Sequence, residues 1–322
     1  MKKRLKELIR IAIMETASDI HITQTNEIQI ECRVNKEFLR IPTKTSDNLL
    51  LNYLQYLTNM DISAFARPQS GTFDIELDNT KYYCRFALIN TVSGRNGVIR
   101  IMNKGSGVSL NELIYKGEHR GILKEWCNFE NGLILFGGPT GAGKTTTVYS
   151  MLNQMVGRKI YTLEDPIEVY YHNLVQLQVN PSIGMSYDEG IKQLLRHDPD
   201  VVMIGEIRDE ITAKAALRCA LTGHLVISTI HAKDCVGMLD RLQELGISLS
   251  TIKTVLKGLA NQRLLKFSLH EKRVSVYEIY EQEDIRKFLE DKREKESNFY
   301  YEVAYAYQKN WISAYEKENF TL

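Results

Sequence analysis

The sequence predicts an α/β fold built on a central, largely parallel sheet, with a smaller α+β domain ahead of it, and three observations carry that expectation. The run Gly138-Pro-Thr-Gly-Ala-Gly-Lys-Thr145 fits G-x-x-x-x-G-K-[ST] without a mismatch, between the apolar, strand-like Leu133–Phe136 and the helical composition of Thr146–Met155. Further apolar runs of strand length follow at Lys159–Leu163, Leu174–Val179, Val201–Ile204 and Leu225–Ile230, as a parallel sheet requires. From Asp19 to about Asn103, by contrast, apolar and polar residues alternate in short stretches, the mark of half-buried strands.

Taken in order, the segment Met1–Arg10 is rich in Lys and Arg and carries Leu5, Leu8, Ile9, Ala12 and Ile13 at helical spacing. Such a basic amphipathic helix lies on a membrane or, more commonly, opens a domain. Ile20–Ile22, Ile28–Val34, Thr72–Leu77 and Tyr82–Ile89 alternate as strands, and Leu49–Leu57 reads as a helix. The polar, glycine-rich Lys104–Gly107 is the expected linker. The C-terminal stretch is charged, tyrosine-rich and free of glycine, and Phe299, Val303, Tyr307, Trp311 and Tyr315 fall four apart, which predicts a helical tail with one aromatic face. The expected organisation is an N-terminal α+β domain over 1–103, a linker over 104–115, a core over 116–268 and a helical tail over 269–322.

At 43% hydrophobic and 25% charged residues the chain has the make-up of a globular protein. No apolar run reaches the length of a membrane span, and no secretory apolar segment stands near the start, so a cytoplasmic location is expected. Cys32, Cys84, Cys127, Cys219 and Cys235 are scattered, with no C-x-x-C pair, which suits a reducing compartment and argues against a disulfide framework or structural zinc. A formal net charge of +1 gives no global attraction to nucleic acid, and no direct binding to it is expected.

The glycine-rich run is a phosphate cradle in its proper context. Its glycines let successive N–H groups point at one anion, and the helix that follows adds its positive N-terminal end. Gly138, Pro139, Thr140, Gly141, Ala142, Gly143, Lys144, Thr145 and Thr146 form the expected site for the phosphates of a nucleoside triphosphate, ATP, with Lys144 on the β- and γ-phosphates and the Thr145 hydroxyl on Mg²⁺. Hydrolysis also needs a carboxylate to orient water. Acids stand at two strand ends: Glu164 after Ile160–Leu163, and Glu206 after Val201–Ile204, where Gly205 occupies the place an aspartate usually fills to hold the metal. Glu206 is the candidate to polarise water and Glu164 to support water or metal, while His231, at the end of Leu225–Ile230, is placed to contact the γ-phosphate. His224 precedes its strand and is expected to be structural.

The glycine run, Leu163-Glu-Asp-Pro-Ile-Glu168, Leu195–Asp209 and Leu221–His231 together resemble the type II/type IV secretion and pilus-assembly ATPases, matching their Walker A, aspartate box, atypical Walker B and histidine box in sequence. The likeness continues through Arg241–Ile247 and Asn261–Leu264 and extends back through Ala17–Ile22 and Arg67–Gly71. Within the family, the short N-terminal region is most similar to the competence-type members that serve DNA-uptake pili of Gram-positive bacteria. The family's paired C-x-x-C insertion is missing, so the resemblance implies no zinc here. The helix typical of retraction motors is also missing, which favours assembly, and Pro68-Gln-Ser-Gly-Thr72 lacks a frequent arginine.

The resemblance implies a RecA-like ATPase domain, a PAS-like N-terminal domain, a hexameric homo-oligomer with nucleotide between the two domains of each chain, and docking on an inner-membrane platform protein. Members of the family send arginines from the N-terminal domain to the phosphates; Arg85 and Arg100 are the candidates here, Arg95 a weaker one. The implied function is ATP hydrolysis that powers assembly of a type IV (competence) pilus or pseudopilus for DNA uptake. A retraction motor of the same family and a nucleotide-gated scaffold with little turnover are the alternatives.

Overall fold

The computed structural model describes residues 1–34, 37–63, 67–102, 108–180, 184–266, 268, 273–291 and 299–321, and the expected linker at Lys104–Gly107 lies outside them. The chain divides into two compact units, Met1–Gly105 with Glu168–Tyr170, and Ser106–Ile167 with Tyr171–Leu322.

In the first unit, α1 (Lys2–Met14) precedes β1 (Asp19–Gln24), β2 (Ile28–Val34) and β3 (Glu37–Ile41), then a 3₁₀ turn (Thr45–Leu49), α2 (Leu50–Leu57), β4 (Gln69–Leu77), β5 (Thr80–Thr91) and β6 (Gly94–Met102). The strands form a six-stranded antiparallel sheet in the order β3-β2-β1-β6-β5-β4. One face of it is apolar because alternate residues point the same way: Phe73, Ile75 and Leu77 of β4, and Cys84, Phe86 and Leu88 of β5, are all buried. The two helices contribute to that core, α1 through Leu5, Leu8, Ile9 and Ala12. The basic N-terminal helix therefore spends its apolar stripe inside the unit. Its Arg4 goes in as well, donating to Asp47 through Nε (3.0 Å) and Nη2 (2.9 Å) and to the carbonyl of Pro42 (2.7 Å). Asp47 is fully buried, and the fork geometry and extra hydrogen bonds are what make such a pair tolerable away from water.

The second unit runs α3 (Leu110–Leu113), α4 (Gly117–Trp126), β7 (Gly132–Gly137), α5 (Lys144–Leu152), β8 (Ile160–Glu164), β9 (Val175–Gln178), α6 (Tyr187–Leu194), β10 (Val201–Ile207), α7 (Glu210–Leu221), β11 (Leu225–Ile230), α8 (Cys235–Glu244), α9 (Leu249–Val255), β12 (Leu256–Lys266), β13 (Arg273–Glu281), α10 (Gln282–Asp291), α11 (Phe299–Gln308) and α12 (Ala314–Thr321). Its seven-stranded sheet has the order β13-β12-β7-β11-β10-β8-β9, parallel throughout except for β13. Every residue of β7 and β11 is buried, which is why both read as continuous apolar runs rather than alternating ones. Leu133, Leu135, Val202 and Ile204 belong to the core on one face, and Ile134, Phe136, Val201 and Met203 to the core on the other.

The expectation of a wholly helical tail over 269–322 is corrected. Arg273–Glu281 is a strand, paired antiparallel with β12 from Gly258↔Glu281 to Lys266↔Arg273. Val274, Val276, Tyr277 and Tyr280 find burial there that a solvent-facing helix would not give them. The aromatic stripe is also divided. The helix that starts at Phe299 ends at Gln308, and Asn310 takes a left-handed φ of 57°, which resets the register before α12. Phe299, Val303, Ala306 and Ile312 are buried against Leu265, Val274 and Val276, whereas Tyr307 and Tyr315 stay exposed. Lys116, just before α4, and Glu302 of α11, 2.7 Å apart, tie this tail to the rest of the second unit. Burial alone would raise the Glu302 carboxyl, but hydrogen bonds from His119 and Lys116 hold it below its ordinary value.

Candidate functional site

The phosphate loop lies between β7 and α5, and its glycines are needed for two physical reasons. Gly138, Gly141 and Gly143 adopt φ of 135°, 78° and 85°, a region that side chains rarely enter. A Cβ on Gly138 would also come within 2.4 Å of the Gln262 carbonyl. Gly143 is the left-handed N-cap of α5, so the loop's amides lead directly into the positive end of that helix. Lys144 is buried and donates to the carbonyls of Gly138 (2.7 Å) and Pro139 (3.0 Å), which draws its ammonium over the loop. Thr145 is half-buried and Thr146 exposed, while Pro139, Thr140 and Gly141 form the open crest and Ala142 is buried. This cradle, closed to side chains and floored by β12, fits a polyphosphate, and the Thr145 hydroxyl on the first turn of α5 fits the Mg²⁺ that accompanies one.

Parallel register puts the other candidates at the same edge of the sheet. Ile230 stands opposite Gly137, Ile207 opposite Ile230, and Ile204 opposite Leu163. Glu164, Glu206 and His231 therefore converge beside the loop at the carboxyl ends of the strands, where open α/β sheets bind ligands. Their surroundings differ. Glu164 is 3% exposed, and its Oε1 accepts from Tyr149 (2.6 Å), Thr162 (2.6 Å) and Gln176 (3.1 Å). Gln176 also donates to the Tyr149 hydroxyl at 2.8 Å. Burial, then the Glu164 charge, push the Tyr149 phenol far above its ordinary value, so it stays a proton donor.

Glu206 sits where β10 loses its regular ladder with β11, between Ile204 and Ile207. Its Oε1 lies 2.8 Å from His231 Nε2, and its Oε2 accepts from Arg208 Nε at 2.7 Å. That hydrogen bond raises the Arg208 guanidinium above its ordinary value. The side chains of His231 and Arg208 are about half exposed, so the ion-paired carboxylate lies at a wet edge. A Cβ on Gly205 beside it would make ordinary contacts, with Glu164 Cα at 3.4 Å and Cγ at 3.7 Å, so an aspartate there would set a second carboxylate next to Glu164. The Gly205 carbonyl accepts from Thr229 at 2.8 Å.

Arg85 and Arg100 are in the first unit, directly opposite one another on β5 and β6, with Asp19 opposite Arg100 on β1. Arg100 Nε donates to Asp19 at 2.8 Å. Burial acts to raise the Asp19 carboxyl, but its bonds to Arg100 and Ser18 win and hold it below the ordinary value. Arg85 Nε is buried and has no hydrogen-bond partner among the described residues. Arg95 is engaged by α2, donating to Asn52 (2.6 Å) and to Gln55. His224 bridges Thr222 (3.0 Å) and the Cys219 carbonyl (3.2 Å), a structural setting. Sequence reasoning missed Tyr149, Thr162, Gln176 and Arg208. Arg208, two residues after Glu206, and Thr162, two residues before Glu164 on β8, had a signal in that spacing; Tyr149 and Gln176 come from other segments.

A P-loop at the head of a parallel sheet, with acids and a histidine at the adjoining strand ends, defines a RecA-like P-loop nucleotide-binding protein. Residues 1–304 match the family described as type II/IV secretion system protein, and the chain belongs to that family. It is 32% identical to competence protein ComGA of Bacillus subtilis (strain 168), over 94% of this chain and 91% of that one. It is 36% identical to the putative type II secretion system protein E of Escherichia coli (strain K12), over 81% of this chain and 54% of that one, so it spans about half the length of such relatives. Among solved structures it resembles the Legionella pneumophila ATPase DotB, with a TM-score of 0.80 at 20% identity, covering 100% of this chain and 96% of that one. It also resembles the pilus retraction motor PilT with bound ADP, with a TM-score of 0.74 at 23% identity, covering 97% and 95%. At these identities the likeness is one of fold. Among the described residues no helix is long and apolar enough to cross a membrane.

Proposed function

We propose that this chain is a Mg²⁺-dependent ATPase that works as a hexamer at the cytoplasmic face of the membrane, docked on a platform protein, and powers assembly of a competence-type pilus or pseudopilus for DNA uptake. The observation that carries this reading is the convergence of the phosphate loop with Glu164, Glu206 and His231 at one edge of one sheet. The likeness to ComGA over nearly the whole of both chains supports the competence assignment.

In this reading the loop amides and Lys144 hold the β- and γ-phosphates, Lys144 exchanging the Gly138 and Pro139 carbonyls for phosphate oxygens. Mg²⁺, when bound through Thr145, neutralises charge on the phosphates. Glu206 orients the attacking water. Each of its oxygens has one partner, His231 at Oε1 and Arg208 at Oε2, and keeps a lone pair for water, which gains room when either partner moves away. A γ-phosphate is the natural competitor for His231: drawing that imidazole away frees Oε1 at the moment the substrate is complete. Glu164, fixed by its donors, orders the water and metal side of the site. Arg85 and Arg100 are proposed, as the family resemblance implies, to supply positive charge to the phosphates.

The test is steady-state ATP hydrolysis of size-fractionated protein beside Lys144→Ala and Glu206→Gln. Activity confined to a hexamer-sized fraction and lost in both variants is the expected outcome. Tight ATP binding without turnover in any fraction would replace the motor with a nucleotide-gated scaffold.

A further inference from the structure

The loop that follows β11 is held from beneath by a set of side chains that the site described above does not use. Between His231 and the start of α8, the Ala232 carbonyl accepts from Asn261 Nδ2 at 3.2 Å, the Lys233 carbonyl accepts from Arg263 Nη2, and the Cys235 amide donates to Glu278 Oε2 at 2.8 Å. Glu278 is 1% exposed, and its carboxylate meets the N-terminus of α8, where the helix end favours an anion. Asn261 and Glu278 are register partners across β12 and β13, and Arg263 stands two residues on, so all three point to the same face. The neighbouring residues Gln262 and Tyr277, also register partners, point to the opposite face. There Gln262 accepts from Thr147 of α5 at 3.1 Å, and the Tyr277 hydroxyl lies 2.9 Å from the same Thr147 hydroxyl. One strand pair thus grips the phosphate-loop helix with one face and the His231 loop with the other.

Arg263 is the joint of this arrangement. Its guanidinium also donates to Asn261 Oδ1 (2.6 Å) and to the Gln262 carbonyl (3.1 Å), the atom against which Gly138 packs. Phe299, the first residue of α11, covers it, with the ring centroid 4.8 Å from the guanidinium carbon. We infer that Arg263, Asn261 and Glu278 are positioning residues that hold His231 in register with the phosphate loop, and that the C-terminal helix, through Phe299, sets how firmly Arg263 does so. This rests on the reading of His231 as the residue that answers to the γ-phosphate. It gives the tail a part in turnover, because the strand that supplies Glu278 and the helix that supplies Phe299 both belong to it.

The experiment compares the full chain with Asn261→Asp, Arg263→Lys and Phe299→Leu, reading kcat and the ratio of ATP to ADP affinity by displacement of a fluorescent ADP analogue. Asn261→Asp is near-isosteric; it replaces the donor to Ala232 with an acceptor oxygen facing that carbonyl and sets a carboxylate against Arg263. Lysine cannot span the carbonyls the arginine fork reaches, and leucine keeps the apolar cover without the aromatic face. Expected is a fall in kcat on the order of 10²-fold for the first two variants, as small displacements of catalytic groups produce. The preference for ATP over ADP is lost alongside it while ADP affinity is unchanged, and Phe299→Leu shifts both readouts less, in the same direction. ADP affinity falling as steeply as turnover would overturn the inference, since the residues would then hold the phosphate loop itself. Variants that match an active wild type in both readouts would overturn it too and leave the ATPase reading standing. If the wild type binds without hydrolysing, the affinity ratio alone decides; if it binds neither nucleotide, both readings fall.

Discussion

Two glutamates end neighbouring strands of the same sheet, and the second unit treats them in opposite ways. Glu164 is enclosed, with one oxygen taken by the hydroxyls of Tyr149 and Thr162 and the amide of Gln176. Glu206 lies at the wet edge between two half-exposed side chains, the His231 imidazole and the Arg208 guanidinium. Uncharged donors packed around a buried carboxylate fix it in one place, since leaving them unmatched is costly. Contacts with half-exposed partners are weak and exchangeable, which on the proposed reading lets Glu206 trade a partner when a phosphate arrives. On the proposed reading, rigidity suits Glu164 as the acid that frames the site, and exchange suits Glu206 as the acid that orients water.

The largest effect that sharpens this contrast is expected from Glu206→Gln. Turnover should fall by roughly 10²- to 10⁴-fold, the worth of a general base, with ATP binding retained in equilibrium titration and the melting temperature unmoved. Glu164→Gln should behave the other way round. The glutamine carbonyl oxygen can keep the donors from Tyr149, Thr162 and Gln176, but as a neutral acceptor in place of a charged one, at a cost of about 1 kcal/mol in denaturant unfolding, with a smaller loss of turnover than at Glu206. Equal losses of turnover in the two variants, with equal stability, would erase the distinction.

Tyr149→Phe probes the enclosed side alone. It should cost about 1 kcal/mol at neutral pH through the lost hydrogen bond. Because the folded phenol is held above its ordinary value of 10.0, its contribution is fully present below that pH. Above it the unfolded chain releases the proton first, and the advantage of wild type over Tyr149→Phe shrinks by up to about 1.4 kcal/mol per pH unit. A gap between the two unfolding curves that stays constant up to pH 11 would contradict the burial of that phenol. The smallest effect on stability is expected on the open side: Arg208→Gln should change unfolding free energy by less than about 1 kcal/mol, while altering the salt dependence of turnover.

By itself the sequence determined the phosphate loop, the four central strands, and which acids and histidine stand at their ends. These are local facts. A glycine turn between strand and helix is written in consecutive residues, and strands buried on both faces announce themselves as apolar runs. What touches Glu164 was not legible, because Tyr149 lies inside the helix after the loop and Gln176 on the edge strand, and only strand order and register bring them together. The fate of the basic first helix also waited on the fold: its stripe suits either a membrane or a core, and the buried partner of Arg4 is Asp47, 43 residues away. The tail was misread for a related reason. Val274-Ser-Val-Tyr-Glu278 sits in charged surroundings, and its strand character follows from pairing with β12, which in turn places Glu278 under the His231 loop. Composition and periodicity report what a residue's own segment requires. Which distant group satisfies a buried donor or charge is decided by tertiary packing, because that choice depends on distances the chain acquires only when folded.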